Sequence, residues 1–210
     1  MRRIGVLGGT FDPVHNGHLH VAQQVREKLG IDEIILVPTG APPHKAGRRL
    51  ADAHHRYAMA LIAVHNLRAL SVSDVEVRRA GLSYTIDTVE LLRQRFGGAR
   101  IFFIIGADAA AELNTWREAE KLLSQVTPVV VARPGYSREL AVTGLEGGLS
   151  PAALDRLLEG FLEIETVDVS STDIRERFAA GRSVRGLLRR EVEEYIRRHG
   201  LYGARALKRG

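Results

Sequence analysis

The length, composition and charge of the chain exclude several classes of protein. Of its 210 residues, 45% are hydrophobic and 26% are charged, which is typical of a folded globular protein rather than a disordered one. The chain has no cysteine, which excludes disulfides, thiolate zinc sites and a cysteine nucleophile. Its apolar runs fall short of the ~20 residues that span a bilayer, and residues 1–4 do not begin a signal peptide. We therefore expect a cytoplasmic protein with no membrane partner.

The net charge of +5 is concentrated at the C-terminal end of the chain. Residues 166–210 hold 11 basic and 6 acidic side chains, whereas residues 1–165 hold 19 of each. A basic region can bind nucleic acid through phosphate contacts, but here acidic residues alternate with the basic ones and aromatic residues are scarce. A solvated arginine-rich helix, with a few arginines that serve a nucleotide, explains the excess better. We therefore do not expect a nucleic-acid partner.

Short runs rich in Ile and Val alternate along the chain with stretches of helical spacing. The predicted strands are 3–7, 33–37, 71–75, 101–105, 129–132 and 161–167. The predicted helices between them are 17–29, 52–67, 84–96 and 108–123. This alternation predicts an α/β protein: a Rossmann-like, doubly wound parallel sheet with helices on both faces. In such a sheet the ligand binds at the carboxyl ends of the strands, so motifs that directly follow a strand are the candidates.

The chain is predicted to form a single domain over residues 1–203. Its last part, about 170–203, is expected to be a small helical unit. Residues 204–210 form a short basic tail that we expect to be flexible.

The first predicted strand is followed directly by the run Gly8-Gly9-Thr10-Phe11-Asp12-Pro13-Val14-His15-Asn16-Gly17-His18. Its first two glycines let a phosphate approach the backbone, and Gly17 stands where the next helix begins. That helix would direct its N-terminal amides and the positive end of its dipole at the phosphate, with His15 and His18 beside it. A tight turn with two incidental histidines and a histidine pair for a metal are the alternatives. The sequence has no obvious third ligand for such a metal.

The last predicted strand is followed by the run Ser170-Ser171-Thr172-Asp173-Ile174-Arg175. Ser170 and Asp173 have the spacing of a helix cap, which alone would explain the serines. Arg175, one turn into the helix, is suitably placed for a bidentate phosphate contact. Two such helix starts beside one sheet favour a shared phosphate site.

These two runs resemble the signatures of the nucleotidylyltransferase superfamily, T/H-x-G-H and Ser-Ser-Thr-x-Ile-Arg. Over nearly its full length the chain is similar to bacterial nicotinate-nucleotide adenylyltransferases. The resemblance implies His15, His18 and Arg175 as catalytic residues. It also implies an ATP site made of Gly8, Gly9, Thr10, Phe11, His15, Gly17, His18, Gly106, Asp108, Ser171, Thr172 and Arg175.

The resemblance assigns a second set of residues to the acceptor substrate. They are Thr39, His44, Lys45, Tyr84, Thr85, Trp116 and Arg133. In the family, the loop after the second strand helps hold the phosphate of the mononucleotide, and an aromatic residue stacks on the pyridine ring. Taken alone, the loop with Thr39, His44 and Lys45 could be a surface turn, and Tyr84 and Thr85 could be the start of a helix with Ser83 as its cap. Trp116 could be a core residue and Arg133 a surface residue.

One segment departs from the family pattern. Where the family usually has a proline followed by an acidic residue, the chain has Arg189 and Arg190. A proline there would sit at a helix start, so its loss is expected to affect how the last helix begins rather than the chemistry.

The resemblance implies transfer of AMP from ATP to nicotinate mononucleotide, giving deamido-NAD and pyrophosphate, with Mg²⁺ entering on the ATP phosphates. The mononucleotide phosphate is already ionised at neutral pH, so the histidines would stabilise charge rather than remove a proton. Pantetheine-phosphate adenylyltransferases and cytidylyltransferases of the same superfamily are alternatives. A non-catalytic nucleotide sensor or nucleic-acid binder is a less favoured one. The sequence leaves open the choice between nicotinate and nicotinamide mononucleotide, and whether the protein is a homo-oligomer.

Overall fold

The computed structural model describes residues 1–41, 50–132, 145, 147–165 and 167–205. Three of the predicted acceptor residues, His44, Lys45 and Arg133, lie outside the described residues. Most of the predicted basic tail does too. Across the described ranges, no helix has the length and apolar character needed to cross a membrane.

Six parallel strands form one sheet in the order β3-β2-β1-β4-β5-β6. The strands are β1 (Arg3–Gly9), β2 (Glu33–Pro38), β3 (Leu70–Val72), β4 (Arg100–Gly106), β5 (Thr127–Val131) and β6 (Phe161–Leu162). The predicted Rossmann-like fold is therefore confirmed. The strand order reverses between β1 and β4, which is where such sheets bind nucleotides. β6 is much shorter than predicted because it lies at the sheet edge and pairs only with the last two residues of β5.

Helices cover both faces of this sheet. They are α1 (Asn16–Leu29), α2 (Ala53–Val64), α3 (Thr85–Arg95), α4 (Ala107–Ala110), α5 (Ala119–Gln125), α6 (Pro151–Glu159), α7 (Ser171–Ala179) and α8 (Arg190–Arg198). The prediction of one helix over 108–123 is wrong. This stretch contains α4, a 3₁₀ turn at Leu113–Thr115 and α5, because Trp116 is extended and Glu118 has a left-handed backbone with φ of 51°.

The sheet separates two hydrophobic clusters, because successive residues of a strand point to opposite faces. In β1, Leu7 packs in the cluster under α1 and α2, whereas Val6 packs in the cluster under α3 and α5. The C-terminal helices join the first cluster through Phe178 of α7 and Ile196 of α8. The last part of the chain thus packs on the same face as the helix that follows the first glycine-rich run.

Arg189, at the point of departure from the family pattern, is the residue that precedes α8. Its guanidinium donates hydrogen bonds to the carbonyl oxygens of Ala63 (3.0 Å) and His65 (2.8 Å). These carbonyls lie at the C-terminal end of α2, where a positive charge is favoured. In this chain Arg189 therefore joins α8 to α2 at the position where the family usually has the proline.

Candidate active site

The carboxyl ends of β1, β2 and β4 open into a cavity of about 380 Å³, a volume within the usual range of small-molecule sites. Many of the predicted site residues line it. They are Gly8, Gly9, Thr10, His18, Thr39, Tyr84, Thr85, Gly106, Asp108 and Trp116. The structure therefore brings six residues of the ATP set and four of the acceptor set to one cavity, at the point where the strand order reverses.

The two histidines of the first run form a stacked pair at the start of α1. Their ring centroids are 3.7 Å apart, and the backbone N–H of His15 donates a hydrogen bond to Nδ1 of His18 at 3.2 Å. Because Nδ1 accepts this bond, the proton of a neutral His18 ring is on Nε2. His18 lines the cavity, whereas His15 is buried behind it. A side chain at Gly17 would come within 3.1 Å of the His15 ring, so only glycine leaves the pair undisturbed.

The second run docks on the first, 158 residues away in the chain. The hydroxyl of Ser171 donates to the carbonyl oxygen of Pro13 at 3.0 Å. The guanidinium of Arg175 donates to the carbonyl oxygen of Asp12 at 2.8 Å and to the hydroxyl of Thr172 at 3.2 Å. The two phosphate-type runs are thus in direct contact, and the phosphate site that they are predicted to share stays a prediction.

Several predicted residues do not belong to the lining of the cavity. They are Phe11, His15, Gly17, Ser171, Thr172 and Arg175. Phe11 is buried against His18 at 5.0 Å, edge to face, and holds a left-handed backbone with φ of 47°. Their contact with a bound nucleotide stays a prediction.

A buried arginine of α2 was not recognised from the sequence. Arg56 is 2% exposed and donates to the carbonyl oxygens of Thr10 (2.8 Å), Gly40 (3.0 Å) and Ala51 (2.9 Å). Burial lowers the pKa of its guanidinium, and the Asp12 carboxylate opposes that shift. One side chain thus fixes the loop after β1, the loop after β2 and the approach to α2. The available signal was an arginine on the apolar side of a predicted helix.

The part of the cavity wall that includes Tyr84 and Thr85 also contains a buried carboxylate, Glu76. It accepts hydrogen bonds from the Thr88 hydroxyl (2.8 Å) and from the Gly40 backbone N–H (3.4 Å). Gly40 passes so close that a side chain there would lie 2.3 Å from the Glu76 carbonyl oxygen. Burial raises the pKa of Glu76, and the bond from Thr88 partly offsets the shift.

The aromatic residues of this part of the wall pack in a fixed arrangement. Trp116 contacts Phe103 edge to face at 6.1 Å, and the guanidinium of Arg117 lies 4.8 Å from the centre of the Tyr84 ring. α3 begins at Thr85, so Tyr84 and not Ser83 precedes the helix, and its side chain makes no capping bond. Ser83 is instead buried in the cavity wall.

We expect the stability of the protein to depend on the ionisation of Glu76. Folding favours its protonated form, so this contribution is complete below the ordinary pKa near 4.5 and is lost as pH rises through the raised value. A Glu76→Gln variant lacks this loss, and its Tm should therefore rise relative to wild type as pH increases from about 4 to about 8. Thermal unfolding across that range measures the difference, with the exposed Glu27→Gln as control. A constant Tm difference would contradict the prediction.

The model of the cytidylyltransferase-like family matches residues 6–177. The chain belongs to this family. A relative from Thermoanaerobacter sp. (strain X514) is 39% identical over 207 residues, covering 95% of this chain and 94% of the relative. Another from Roseiflexus sp. (strain RS-1) is 42% identical over 199 residues, covering 95% and 97%. Both are named probable nicotinate-nucleotide adenylyltransferase. The family resemblance found in the sequence is thereby confirmed.

A solved structure with this fold matches nearly the whole chain. The nicotinic acid mononucleotide adenylyltransferase of Plasmodium falciparum, complexed with NaAD, has a TM-score of 0.76 at 19% identity. The match covers 97% of this chain and 98% of the Plasmodium chain. The likeness is one of fold, and it extends over both the sheet and the C-terminal helices.

Proposed function

We propose that the protein transfers AMP from ATP to nicotinate mononucleotide, giving deamido-NAD and pyrophosphate. One observation carries the proposal: a single cavity has the phosphate-type loop and His18 at one part of its wall and Tyr84, Thr85 and Trp116 at another. Two substrates that must react can therefore be held side by side. The names of the relatives, which cover nearly the full chain, support the same activity.

The proposed reaction is a direct displacement at the α-phosphorus of ATP. An oxygen of the mononucleotide phosphate forms the new P–O bond, and the bond to the β-phosphate breaks, so pyrophosphate leaves with the bonding electrons. Since the second pKa of a phosphate monoester is about 6, the attacking oxygen is ionised at neutral pH and needs no general base. The chain contributes alignment of the two anions and stabilisation of charge.

His18 is the proposed donor to the reacting phosphates. Its Nδ1 accepts a hydrogen bond from the backbone N–H of His15, which puts the proton of a neutral ring on Nε2, the nitrogen that we propose donates to a phosphate oxygen. The positive end of the α1 dipole acts in the same direction. We assign His15 the role of orienting His18, and Arg175 that of a cation beside the leaving pyrophosphate.

The proposed adenosine end of the site is the turn after β4. Gly106 and Asp108 line the cavity there, and an acidic side chain at that place in a Rossmann-like sheet accepts ribose hydroxyls. Thr85, the first residue of α3, also lines the cavity, and we propose that the backbone amides of this helix start receive a carboxylate such as that of nicotinate. His44, Lys45 and Arg133 stay proposals for the acceptor phosphate.

Mg²⁺ is proposed to enter as the complex with ATP. Among residues in the described ranges, no three His, Asp or Glu side chains lie close enough to hold a metal ion. Mg²⁺ bound to the phosphate oxygens would neutralise charge on the triphosphate. The cytoplasmic location, a homo-oligomeric state and the single-domain division likewise stay predictions.

The experiment is an acceptor panel assayed by pyrophosphate release with ATP and Mg²⁺. We expect release with nicotinate mononucleotide and little with pantetheine phosphate, with the dinucleotide identified by its mass. CTP in place of ATP tests the cytidylyltransferase alternative. Release that depends on pantetheine phosphate, or on CTP, would replace the proposal. Tight, salt-sensitive RNA binding with no release from any acceptor would favour a nucleic-acid binder.

A further inference from the structure

A carboxylate of the first glycine-rich run is buried and held from the far end of the chain. Asp12 is 1% exposed, and its Oδ1 accepts hydrogen bonds from the Tyr202 hydroxyl (2.7 Å) and from the backbone N–H of Ala51 (3.1 Å). Tyr202 follows Asp12 by 190 residues in the chain. The bond therefore connects the C-terminal turn directly to the loop between β1 and α1.

Tyr202 is well placed to be a donor. It lies in the 3₁₀ turn Leu201–Gly203 that follows α8, and its ring rests against Phe178 at 6.4 Å. Burial, and then the adjacent Asp12 charge, raise the pKa of its phenol above the ordinary value. The hydroxyl thus keeps its proton and donates a hydrogen bond to Asp12 across the physiological pH range.

The same aspartate is the point where the second run contacts the first. Its carbonyl oxygen accepts from the Arg175 guanidinium at 2.8 Å, and its carboxylate lies 3.9 Å from that guanidinium. Asp12 also stands three residues before His15, which orients His18. A shift of Asp12 would therefore move both the histidine pair and Arg175.

We propose that Tyr202 is a positioning residue for adenylyl transfer: through the Asp12 carboxylate, its hydroxyl holds the phosphate loop and Arg175 in alignment. The inference rests on the proposed function. It makes the C-terminal turn part of the working site, although the turn is outside the lining of the cavity. Alignment of this kind acts on the reacting geometry, where a small displacement lowers turnover more than binding.

The test is the Tyr202→Phe variant, which removes the hydroxyl and keeps the ring on Phe178. We expect kcat to fall by about tenfold or more, with KM for the mononucleotide changed by less than about threefold. Tyr195→Phe is the matched control. The Tyr195 hydroxyl, like that of Tyr202, forms a hydrogen bond with a side chain, in this case Nδ1 of His55 in α2 at 2.9 Å. That contact is outside the loop between β1 and α1. The kcat of Tyr195→Phe should stay within about twofold of wild type.

A double-mutant cycle tests the route through Asp12. In an Asp12→Ala background the hydroxyl has lost its acceptor, so Tyr202→Phe should lower kcat by less than about twofold further. Additive losses in the cycle would overturn the proposed route. If Asp12→Ala does not fold, the comparison of the two tyrosine variants still decides.

The outcomes separate the inference from the proposed function. An inactive wild-type protein in the acceptor panel contradicts the function itself. An active wild type whose Tyr202→Phe variant keeps its kcat, or loses only Tm, overturns the inference alone. Equal kcat losses in Tyr195→Phe and Tyr202→Phe would also overturn it, because the effect would then be one of general stability.

Discussion

Replacing His18 with alanine is expected to lower kcat by about 10²–10³-fold while changing the dissociation constant for ATP only a few fold. The reason is that the ring is fixed. Its Nδ1 accepts a hydrogen bond from the backbone N–H of His15, so the proton of a neutral ring is on Nε2, the proposed donor to the phosphate. Such a preorganised donor stabilises charge that develops in the transition state, and ground-state ATP gains much less from it.

The measurement is steady-state turnover together with ATP binding by calorimetry. His20→Ala is the control, since His20 is two residues further along α1 and is outside the cavity lining. We expect that control to keep a kcat near wild type. A His18→Ala enzyme with near-normal turnover would contradict the role assigned to the histidine pair. A large loss of ATP affinity at unchanged kcat would show uniform binding instead.

Replacing Arg56 with methionine is expected to lower the free energy of unfolding by about 3–5 kcal/mol, the cost of breaking a buried charged network. Three carbonyl oxygens, of Thr10, Gly40 and Ala51, lose their donor together. Methionine keeps much of the volume, so most of the loss comes from those unpaired acceptors and from the Asp12 charge nearby.

Denaturant unfolding of the Arg56→Met variant measures this loss. The control is Arg68→Met, because Arg68 follows the same helix and is exposed, so its change should be within about 0.5 kcal/mol. If the free energy of unfolding of Arg56→Met is within about 1 kcal/mol of the wild-type value, the arginine does not bind the two loops together as described. Activity should fall with stability, since both loops border the cavity.

The sheet could be predicted because its strands carry their own signal. The runs at 33–37 and 101–105 are apolar throughout, as expected for central parallel strands buried on both faces. The break within 108–123 could not be predicted, because the helical spacing of the sequence continues through Glu118. The left-handed backbone of Glu118 is a feature of the tertiary structure that its sequence does not signal. α6 was missed although Ser150 and Pro151 are typical helix-start residues.

The cavity could be predicted wherever a motif directly follows a strand, as with Gly8 after β1 and Gly106 after β4. The side chains that hold those motifs in place could not be predicted from the sequence. Arg56 binds three carbonyl oxygens in two loops, and Tyr202 reaches Asp12 across 190 residues. No spacing in the sequence encodes such contacts, because they form only when segments that are distant in the chain pack together, as the C-terminal helices do on the α1 face.

The central claim is that this adenylyltransferase fold serves nicotinate mononucleotide. The most direct measurement compares kcat/KM for nicotinate and nicotinamide mononucleotide at fixed ATP and Mg²⁺, with product dinucleotides separated and quantified. The amides at the start of α3 favour the acceptor that carries a carboxylate, so we predict a ratio of at least about tenfold for nicotinate. Equal values, or a preference for nicotinamide mononucleotide, would contradict the account.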